Sequence, residues 1–258
     1  MKLARNTFKA AIADGKPQIG LWNSLCSNFA ADVVSSTGFD WALLDMEHSP
    51  NDERTVLGQM QAMQQGDTVP IIRPPWNDFV MIKRLLDIGA CGFLFPMVQS
   101  AEEAASAVAA TRYPPRGIRG VSMAQRGNKF GRVTDYFERF EEELAVLVQI
   151  ETRDALSRTA EIAAVDGVDG VFFGPADIAA DMGLLGQATH PDVWAAIGEA
   201  AKIVHAAGKP TGTLVQTADK AVELFNDGFS FVACGSDLGL LARGADALLA
   251  NVKSGLAS

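Results

Sequence analysis

Eight short apolar runs alternate with longer amphipathic segments along this chain of 258 residues. The runs are continuous, which is typical of parallel strands that are buried on both faces. Several of the intervening segments carry apolar residues at helical spacing and end at a glycine. The pattern therefore predicts a parallel sheet covered by helices. The predicted strands span residues 18–24, 39–47, 69–74, 91–98, 144–151, 167–175, 210–216 and 229–237.

Eight strand–helix units without a linker predict an α/β protein that forms a single-domain (β/α)8 TIM barrel over residues 1–258. A doubly wound open sheet is the alternative, but no GxGxxG turn follows the first strand. An irregular insert at 113–132 interrupts the alternation. A short helix is expected before the first strand, and further helices are expected at 29–38, 53–66, 78–90, 101–112, 153–165, 193–208, 218–228 and 238–252.

Composition limits the partners and the compartment that are expected. The formal net charge of -9 argues against nucleic acid and against anionic membranes, because phosphate binding requires a basic face. The sequence has no apolar stretch long enough for a membrane span, and its first residues lack the apolar core of a signal peptide. Cys26, Cys91 and Cys234 show no CxxC spacing. Free thiols in a reducing, cytoplasmic setting are therefore expected.

Chemically capable side chains follow several predicted strands at the point where each apolar run ends. The carboxyl ends of the strands carry the active site in barrels of this type, so these side chains are expected to meet there. They are Asp45, Glu47, His48, Arg73, Gln149, Glu151 and Asp177.

Glu151 and Asp177 lie about one strand–helix unit apart and are expected at the ends of neighbouring strands. Two unpaired carboxylates at close range repel each other, and a hard divalent cation between them removes this repulsion. One interpretation is therefore a metal site with open positions for water and substrate. The other is that both are surface acids, with Asp177 capping the helix that follows.

His48 is the only one of three histidines at a predicted strand end. A carboxylate from Asp45 or Glu47 would make its imidazole a better general base, although a lone histidine is often structural. Arg73 ends a buried run, where an unpaired charge is costly. It is interpreted either as a clamp for an enolate or carboxylate or as a member of an ion pair.

No lysine lies inside a predicted strand, which argues against a Schiff-base mechanism, because such a lysine must point into the barrel. If the chain forms an enolate, a metal must then stabilise it. Trp22 and Phe173 are expected either to line the site or to pack in the barrel core. The insert contains Arg116, Arg119 and Arg126. It is interpreted as a solvated loop, a subunit contact or an anion-binding lid.

Six long segments spread over nearly the whole chain are FDWALLDMEHSPND, VPIIRPPWND, KRLLDIGACGFLFPMV, YPPRGIRGVS, QIETRDAL and VDGVFFGPADIAADMG. Together they resemble the HpcH/HpaI family of class II pyruvate aldolases. The resemblance implies a homo-hexamer of barrels that exchange their carboxyl-terminal helices. It also implies a divalent metal (Mg²⁺, Mn²⁺ or Co²⁺), no organic cofactor, and pyruvate and an aldehyde as small-molecule partners.

The resemblance further implies roles for residues at matching positions. The matches are Glu151 and Asp177 for the metal, Gln149 and the backbone of Ala176 for pyruvate, Leu214 for the aldehyde, His48 for proton transfer, Arg73 for the enolate, and Asp87 as the acid that makes the histidine more basic. Trp22 is added to the expected substrate-binding residues. Asp87 and Asp45 are thus alternative partners for His48.

The function that the resemblance implies is reversible, metal-dependent cleavage of a 4-hydroxy-2-oxo acid to pyruvate and an aldehyde. Two alternatives are a related carbon–carbon lyase that acts on citryl- or malyl-type CoA thioesters, and a barrel that only binds a dicarboxylate. The compact chain has no added domain to cover CoA, and the complete set of polar residues at the strand ends favours catalysis.

Overall fold

The apolar runs form a closed barrel of eight parallel strands in the computed structural model, which describes residues 1–257. The strands follow chain order, and the last pairs with the first to close the barrel. This arrangement confirms the predicted TIM-barrel fold. The strands are β1 (Gln18–Asn23), β2 (Trp41–Asp45), β3 (Val69–Arg73), β4 (Gly92–Phe95), β5 (Ala145–Ile150), β6 (Gly170–Phe173), β7 (Thr211–Val215) and β8 (Phe231–Ser236).

Most helices begin after a polar residue whose side chain accepts a backbone N–H of the first turn. Within residues 1–257, none of the helices combines the length and the hydropathy that crossing a bilayer requires. The helices are α1 (Thr7–Ala13), α2 (Asn28–Ser35), α3 (Glu53–Ala62), α4 (Phe79–Asp87), α5 (Ala101–Thr111), α6 (Tyr136–Arg139), α7 (Arg153–Ser157), α8 (Thr159–Ala163), α9 (Pro175–Asp181), α10 (Pro191–Ala206), α11 (Ala218–Asn226) and α12 (Asp237–Leu256).

Two of the departures from the predicted boundaries have a clear cause in the backbone. The helix predicted over 153–165 is divided at Arg158, whose φ of -104° and ψ of 11° leave the helical range. The fourth strand stops at Phe95, because Pro96 has no N–H for the ladder. Met97 then adopts a left-handed backbone with φ of 53°. The fourth strand was therefore predicted to extend further toward the polar site than it does.

Two apolar cores share the strands, because alternate side chains point to opposite faces. In β2, Trp41 and Leu43 face the barrel interior, whereas Ala42 and Leu44 pack against the helices. Phe8 of α1 closes the amino-terminal end of the interior, with its ring centroid 5.6 Å from that of Trp41. The same alternation decides which side chains face inward at the carboxyl ends of the strands.

The last helix, α12, differs from the others because only Asp237 of its 20 residues is buried. A row of exposed apolar side chains runs along its whole length. A continuous apolar surface of this kind is typical of a protein–protein contact. The exposed side chains are Leu238, Leu240, Leu241, Leu248, Leu249, Val252 and Leu256.

Candidate active site

Four polar side chains continue the inward-facing register at the carboxyl ends of their strands. β2 ends at Asp45 and β3 at Arg73, while β5 carries Gln149 and stops one residue before Glu151. All four are buried. They adjoin a cavity of about 620 Å³, a size that suits a small organic ligand. The predicted site residues that line this cavity are Trp22, His48, Arg73, Gln149, Ala176, Asp177 and Leu214.

Arg73 is held by two carboxylates at the mouth of β3. Its Nε and Nη2 each donate to Asp45 at 2.9 Å, and its Nη1 lies 2.8 Å from Glu47 Oε2. The guanidinium also lies over the Trp22 ring, 4.9 Å from its centroid. Burial favours a raised pKa for Asp45, but the paired guanidinium outweighs it, so the pKa of this carboxyl is lowered. A guanidinium has five N–H donors, so Arg73 keeps donors for a ligand in the cavity.

His48 lies in the turn after β2, with 66% of its side chain exposed. Its backbone N–H donates to Asp45 Oδ1 at 3.4 Å, and that of Glu47 donates to the same oxygen at 3.0 Å. The carboxylate within ion-pair range of the imidazole is Glu47, whose Oε1 is 3.9 Å from Nε2. Asp45 therefore fixes the backbone of His48 and the guanidinium of Arg73, and it does not pair with the imidazole.

Glu151 and Asp177 come together beside the cavity. Glu151 is buried after β5, and its Oε1 accepts the backbone N–H of Met97 at 2.8 Å. Asp177 is exposed in the first turn of α9. Burial, assisted by the neighbouring carboxylates of Asp177 and Glu47, raises the pKa of Glu151 to about 8. α9 begins at Pro175, so Asp177 is not the capping residue of this helix.

The side-chain oxygens of Gln149, Glu151 and Asp177 are ligands that suit a hard divalent cation. The Oε1 atom of Gln149 is buried without a hydrogen-bond partner. A Cβ atom at Gly174 would lie 3.0 Å from both Gln149 Nε2 and Glu151 Cγ, so the glycine leaves the space that these side chains occupy. Over residues 1–257, no group of three or more His, Cys, Asp or Glu residues forms a metal site. Two carboxylates would leave positions for water and substrate.

Asp87 lies at the opposite end of the barrel from His48. It is the last residue of α4, the helix that returns the chain to the amino-terminal end of β4. Its carboxylate pairs with Arg119 at 3.0 Å. His48 follows the carboxyl end of β2, so Asp87 of the same chain cannot hydrogen-bond its imidazole.

The insert packs on this same amino-terminal end of the barrel. Arg119 is fully buried, and its guanidinium lies 4.5 Å from the ring centroid of Tyr113 and 5.2 Å from that of Phe140. Arg126 donates to the backbone carbonyl of Ile88 at 2.7 Å. Arg119 and Arg126 therefore stabilise the packing of the insert against the barrel. Because the insert lies at the amino-terminal end, it does not form a lid over the active site of its own chain.

Of the two alternatives given for Phe173, packing in the apolar core holds and lining the site does not. Phe172 faces the barrel interior and the cavity, whereas Phe173 packs between the strands and the helices. Sequence reasoning also missed Trp194 and Lys220, which line the cavity. Both lie on helices outside the strand ends. The signal that could have indicated this part of the site was a lysine, Lys220, in the first turn of α11, the helix that follows β7.

Comparison with known proteins identifies the family. Residues 18–244 match the HpcH/HpaI aldolase/citrate lyase family. A 4-hydroxy-2-oxo-heptane-1,7-dioate aldolase from Salmonella dublin is 51% identical over 247 residues, which cover 95% of this chain and 94% of the relative. An HpcH/HpaI aldolase/citrate lyase family protein from Burkholderia cenocepacia J2315 superposes with a TM-score of 0.93 at 35% identity, covering 96% of this chain and 99% of that one. An HpcH/HpaI aldolase from Desulfitobacterium hafniense DCB-2 gives 0.89 at 28% identity, covering 95% and 96%. The chain therefore belongs to the HpcH/HpaI aldolase/citrate lyase family.

Proposed function

We propose that this carbon–carbon lyase is a metal-dependent aldolase that reversibly cleaves 4-hydroxy-2-oxo acids to pyruvate and an aldehyde. One observation carries the proposal: a paired arginine, an exposed histidine and the carboxylate of Asp177 line a single cavity at the carboxyl ends of the strands, and the buried carboxylate of Glu151 lies next to Asp177. The named activity of the Salmonella relative, which is 51% identical, supports the same reaction type.

The proton and charge movements fall to His48 and Arg73. During cleavage, His48 takes the proton of the substrate 4-hydroxyl, directly or through a water, and the C4–O bond becomes the carbonyl of the aldehyde. The electron pair of the broken C3–C4 bond passes into the pyruvate enolate, whose C3 then takes up a proton. Arg73 donates to the enolate oxygen through the N–H groups that Asp45 and Glu47 leave free. In the reverse direction, His48 returns the proton to the new hydroxyl.

Glu151 and Asp177 would hold the divalent metal, and the bound metal would stabilise negative charge on the 2-oxo acid. Mg²⁺, Mn²⁺ and Co²⁺ are the candidates. Gln149 and the backbone of Ala176 would contact the pyruvate half, and Leu214 and Trp22 the aldehyde half. The buried, unpartnered oxygen of Gln149 and the raised pKa of Glu151 support a cation at this position.

We also propose that the protein is a homo-oligomer, with a hexamer that exchanges α12 as the predicted form. The exposed apolar side chains of α12 support an intersubunit role for this helix. The predicted effect of Asp87 on His48 requires a second subunit, because the two residues lie at opposite ends of one barrel. The three free cysteines are consistent with the predicted cytoplasmic setting.

The test is release of pyruvate from a panel of 4-hydroxy-2-oxo acids, measured before and after removal of divalent metal. The untreated protein should release pyruvate, a chelator should abolish the release, and Mn²⁺ or Mg²⁺ should restore it. Borohydride added with pyruvate should trap no covalent adduct, because none of the eight strands contains a lysine.

The rival functions give different results in this assay. Cleavage of a citryl or malyl thioester without cleavage of any hydroxy-oxo acid would favour the CoA-dependent lyase. Binding of dicarboxylates without turnover of either class would favour a non-catalytic barrel. A trapped pyruvate adduct would contradict the metal-dependent mechanism.

A further inference from the structure

A second cavity lies at the amino-terminal end of the barrel, opposite the candidate active site. Its volume is about 430 Å³, and it shares no lining residue with the active-site cavity. It is bounded by the amino-terminal segment 2–7, the end of α3 and the loop after it, the turn between α4 and β4, and parts of the segment 126–144. A cavity of this size suits a small organic ligand.

Positive charge predominates along this second cavity. Four basic and two acidic residues line it. Within residues 1–257, none of the four basic side chains forms an ion pair. One of the two carboxylates is already in use, because Glu143 Oε2 accepts the backbone N–H of Asn6 at 2.6 Å. The basic residues are Lys2, Arg5, Arg126 and Lys129, and the acidic residues are Asp67 and Glu143.

Arg126 differs from the other two arginines of the insert. Arg116 and Arg119 each pair with a carboxylate, at 2.6 Å and 3.0 Å. Arg126 is half-buried, and its Nη1 donates to the backbone carbonyl of Ile88. Burial lowers the pKa of its guanidinium, and no carboxylate of the described chain counters this effect. A guanidinium has five N–H donors, so Arg126 retains donors for an anion.

Buried apolar side chains form much of the remaining lining. Two of them are methionines, whose flexible thioethers fill irregular spaces. The amino-terminal segment is held as one wall, because the Met1 ammonium donates to the carbonyl of Arg132 at 2.8 Å and Asn6 Nδ2 donates to that of Cys91 at 2.7 Å. The cavity therefore combines unpaired cations with an apolar surface. The buried apolar side chains are Met60, Met63, Leu86, Val133, Phe140 and Leu144.

We propose that this second cavity binds a small organic anion, with a carboxylate or phosphate group at Arg126 and an apolar body against the buried side chains. The anion would neutralise a half-buried guanidinium whose desolvation is otherwise uncompensated. It would also stabilise the packing of the insert on the turn after α4, since Arg126 contacts Ile88 and the backbone N–H of Gly127 donates to the carbonyl of Asp87 at 3.2 Å. The inference does not depend on the proposed function, because the two cavities lie at opposite ends of the barrel.

The experiment measures binding to the full chain by isothermal titration calorimetry with four probes. Phenyl phosphate and benzoate carry an anionic group on an apolar ring, benzyl alcohol is the neutral counterpart of benzoate, and inorganic phosphate lacks the ring. At least one aromatic anion should bind about tenfold more tightly than benzyl alcohol, and the tighter of the two identifies the preferred anionic group. Equal binding of benzyl alcohol, or binding of inorganic phosphate as tight as that of phenyl phosphate, would overturn the proposal.

Variants of the basic residues test the contact itself. Arg126→Met should weaken binding of the preferred anion about tenfold or more, and Arg126→Lys should recover part of the loss. Arg116→Met is the matched control, since it removes an arginine of the same insert that does not line the cavity, and it should leave the affinity unchanged. Unchanged affinity in Arg126→Met, or an equal loss in Arg116→Met, would overturn the proposal.

Lys129→Met separates anion binding from a structural role of Arg126. Arg126→Met also removes the hydrogen bond to Ile88, whereas Lys129 lines the cavity without an ion pair in the described chain. Lys129→Met should therefore weaken anion binding as well. A loss in Arg126→Met that Arg126→Lys does not recover and Lys129→Met does not share would show a structural effect and would overturn the proposal.

A titration with excess Mn²⁺ and pyruvate locates the bound anion. Under the proposed function these fill the active-site cavity, so binding at the second cavity should be unchanged. Loss of anion binding in their presence, together with wild-type affinity in Arg126→Met, would place the anion in the active site and overturn this inference alone. Absence of aldolase activity would contradict the proposed function and leave the comparison of Arg126→Met with Arg116→Met unaffected.

Discussion

Asp45 connects three parts of the candidate site through one carboxylate. It accepts two hydrogen bonds from the Arg73 guanidinium and one each from the backbone N–H groups of Glu47 and His48. These donors favour the ionised form, which is why the pKa of Asp45 is lowered although the residue is buried. The carboxylate thus orients both the guanidinium and the loop that carries the histidine.

Replacing Asp45 by asparagine should destabilise the protein by about 3 kcal/mol at neutral pH, because Arg73 stays buried and loses the carboxylate that accepts two of its hydrogen bonds, with only Glu47 left as an ionic partner. The folded-state pKa of Asp45 lies below its usual value of 3.8. Its ionised form therefore stabilises the fold above that pH, and this contribution is lost as the pH falls through the folded-state value. Urea unfolding at pH 7 and in the acid range measures the difference, which should shrink in acid.

Asp14→Asn is the matched control, since it removes the exposed partner of Lys16 in an ion pair of 3.0 Å. An exposed pair of this type contributes about 0–1 kcal/mol. Equal destabilisation by the two substitutions would contradict the role given to Asp45.

His48→Ala should lower the rate of pyruvate release by about a hundredfold to ten-thousandfold, because the proton acceptor for the 4-hydroxyl is removed. Metal affinity should change little, since the proposed ligands are Glu151 and Asp177. Steady-state kinetics and Mn²⁺ titration of the same preparations check both points. His205→Gln is the control. It alters a histidine whose Nε2 lies 2.8 Å from Thr211 Oγ1, away from the cavity, and activity should persist. Full activity of His48→Ala would exclude His48 as the base.

Sequence reasoning located the candidate residues because each ends an apolar run, but it did not reveal their partners. Asp45 and Arg73 are opposite each other in the β2–β3 register, and register is a property of two strands. The alternatives for Phe173 stayed open for the same reason, since a shift of one residue moves a side chain to the other face of the strand. Lys220 lies on a helix, where no strand-end pattern marks it.

At the scale of elements, β5 brings a polar end into an apolar barrel. Ala145 and Leu147 face the interior lower in the strand, and Gln149 and Glu151 continue the same face upward. The left-handed backbone at Met97 turns an N–H toward Glu151. The strand thus presents a buried carboxylate next to Asp177, and without a cation the cost of ionising it is high.

The raised pKa of Glu151 predicts a specific pH dependence for protein treated with a chelator. Glu151 has a folded-state pKa of about 8, against a usual value of 4.5. Its stabilising contribution is complete below the usual value and is lost as the pH rises through the folded-state value, because the unfolded chain releases the proton first. The Tm of metal-free protein should therefore decline between about pH 5 and pH 8.

Glu151→Gln tests the source of this decline, because the amide cannot ionise. The metal-free variant should show a flatter dependence of Tm on pH, and a saturating divalent cation should flatten that of the wild type. Parallel declines in the wild type and in Glu151→Gln would show that other groups control the stability in this range.

The elements themselves were largely predictable, since eight apolar runs became eight strands. The ends of these elements were not predictable, because the backbone leaves the strand or helix conformation at points where the apolar pattern continues. Arg158 divides one predicted helix where the hydrophobic periodicity continues, and Pro96 ends β4 inside an apolar run. The insert has no regular structure over 113–132, as expected. The position of its Arg119 next to Asp87 depends on tertiary packing.

At the scale of the whole molecule, closure of the barrel follows from the count of strand–helix units, and the sequence therefore predicted the architecture. The exposure of the last helix on the outside of the barrel was not predicted. The amphipathic pattern of 238–252 predicted a helix, but it did not reveal that the helix would extend to Leu256 with its apolar side chains exposed. Asp237 is the one buried residue of this helix, which supports the proposal that other copies of the chain cover its apolar side chains.

Leu248→Glu places a charge among the apolar side chains of α12, and it should dissociate the oligomer, because burying an unpaired carboxylate at an interface is costly. Asn251→Glu is the matched control, since it adds the same charge to the same helix without removing an apolar side chain. Analytical ultracentrifugation of the three proteins across a concentration series measures the result. The wild type and Asn251→Glu should sediment as the same oligomer, and Leu248→Glu as smaller species.

If Asp87 acts on His48 of a neighbouring subunit, dissociation should also lower kcat while the affinity for Mn²⁺ is retained. A monomeric wild type, or an unchanged oligomer in Leu248→Glu, would contradict the role assigned to α12.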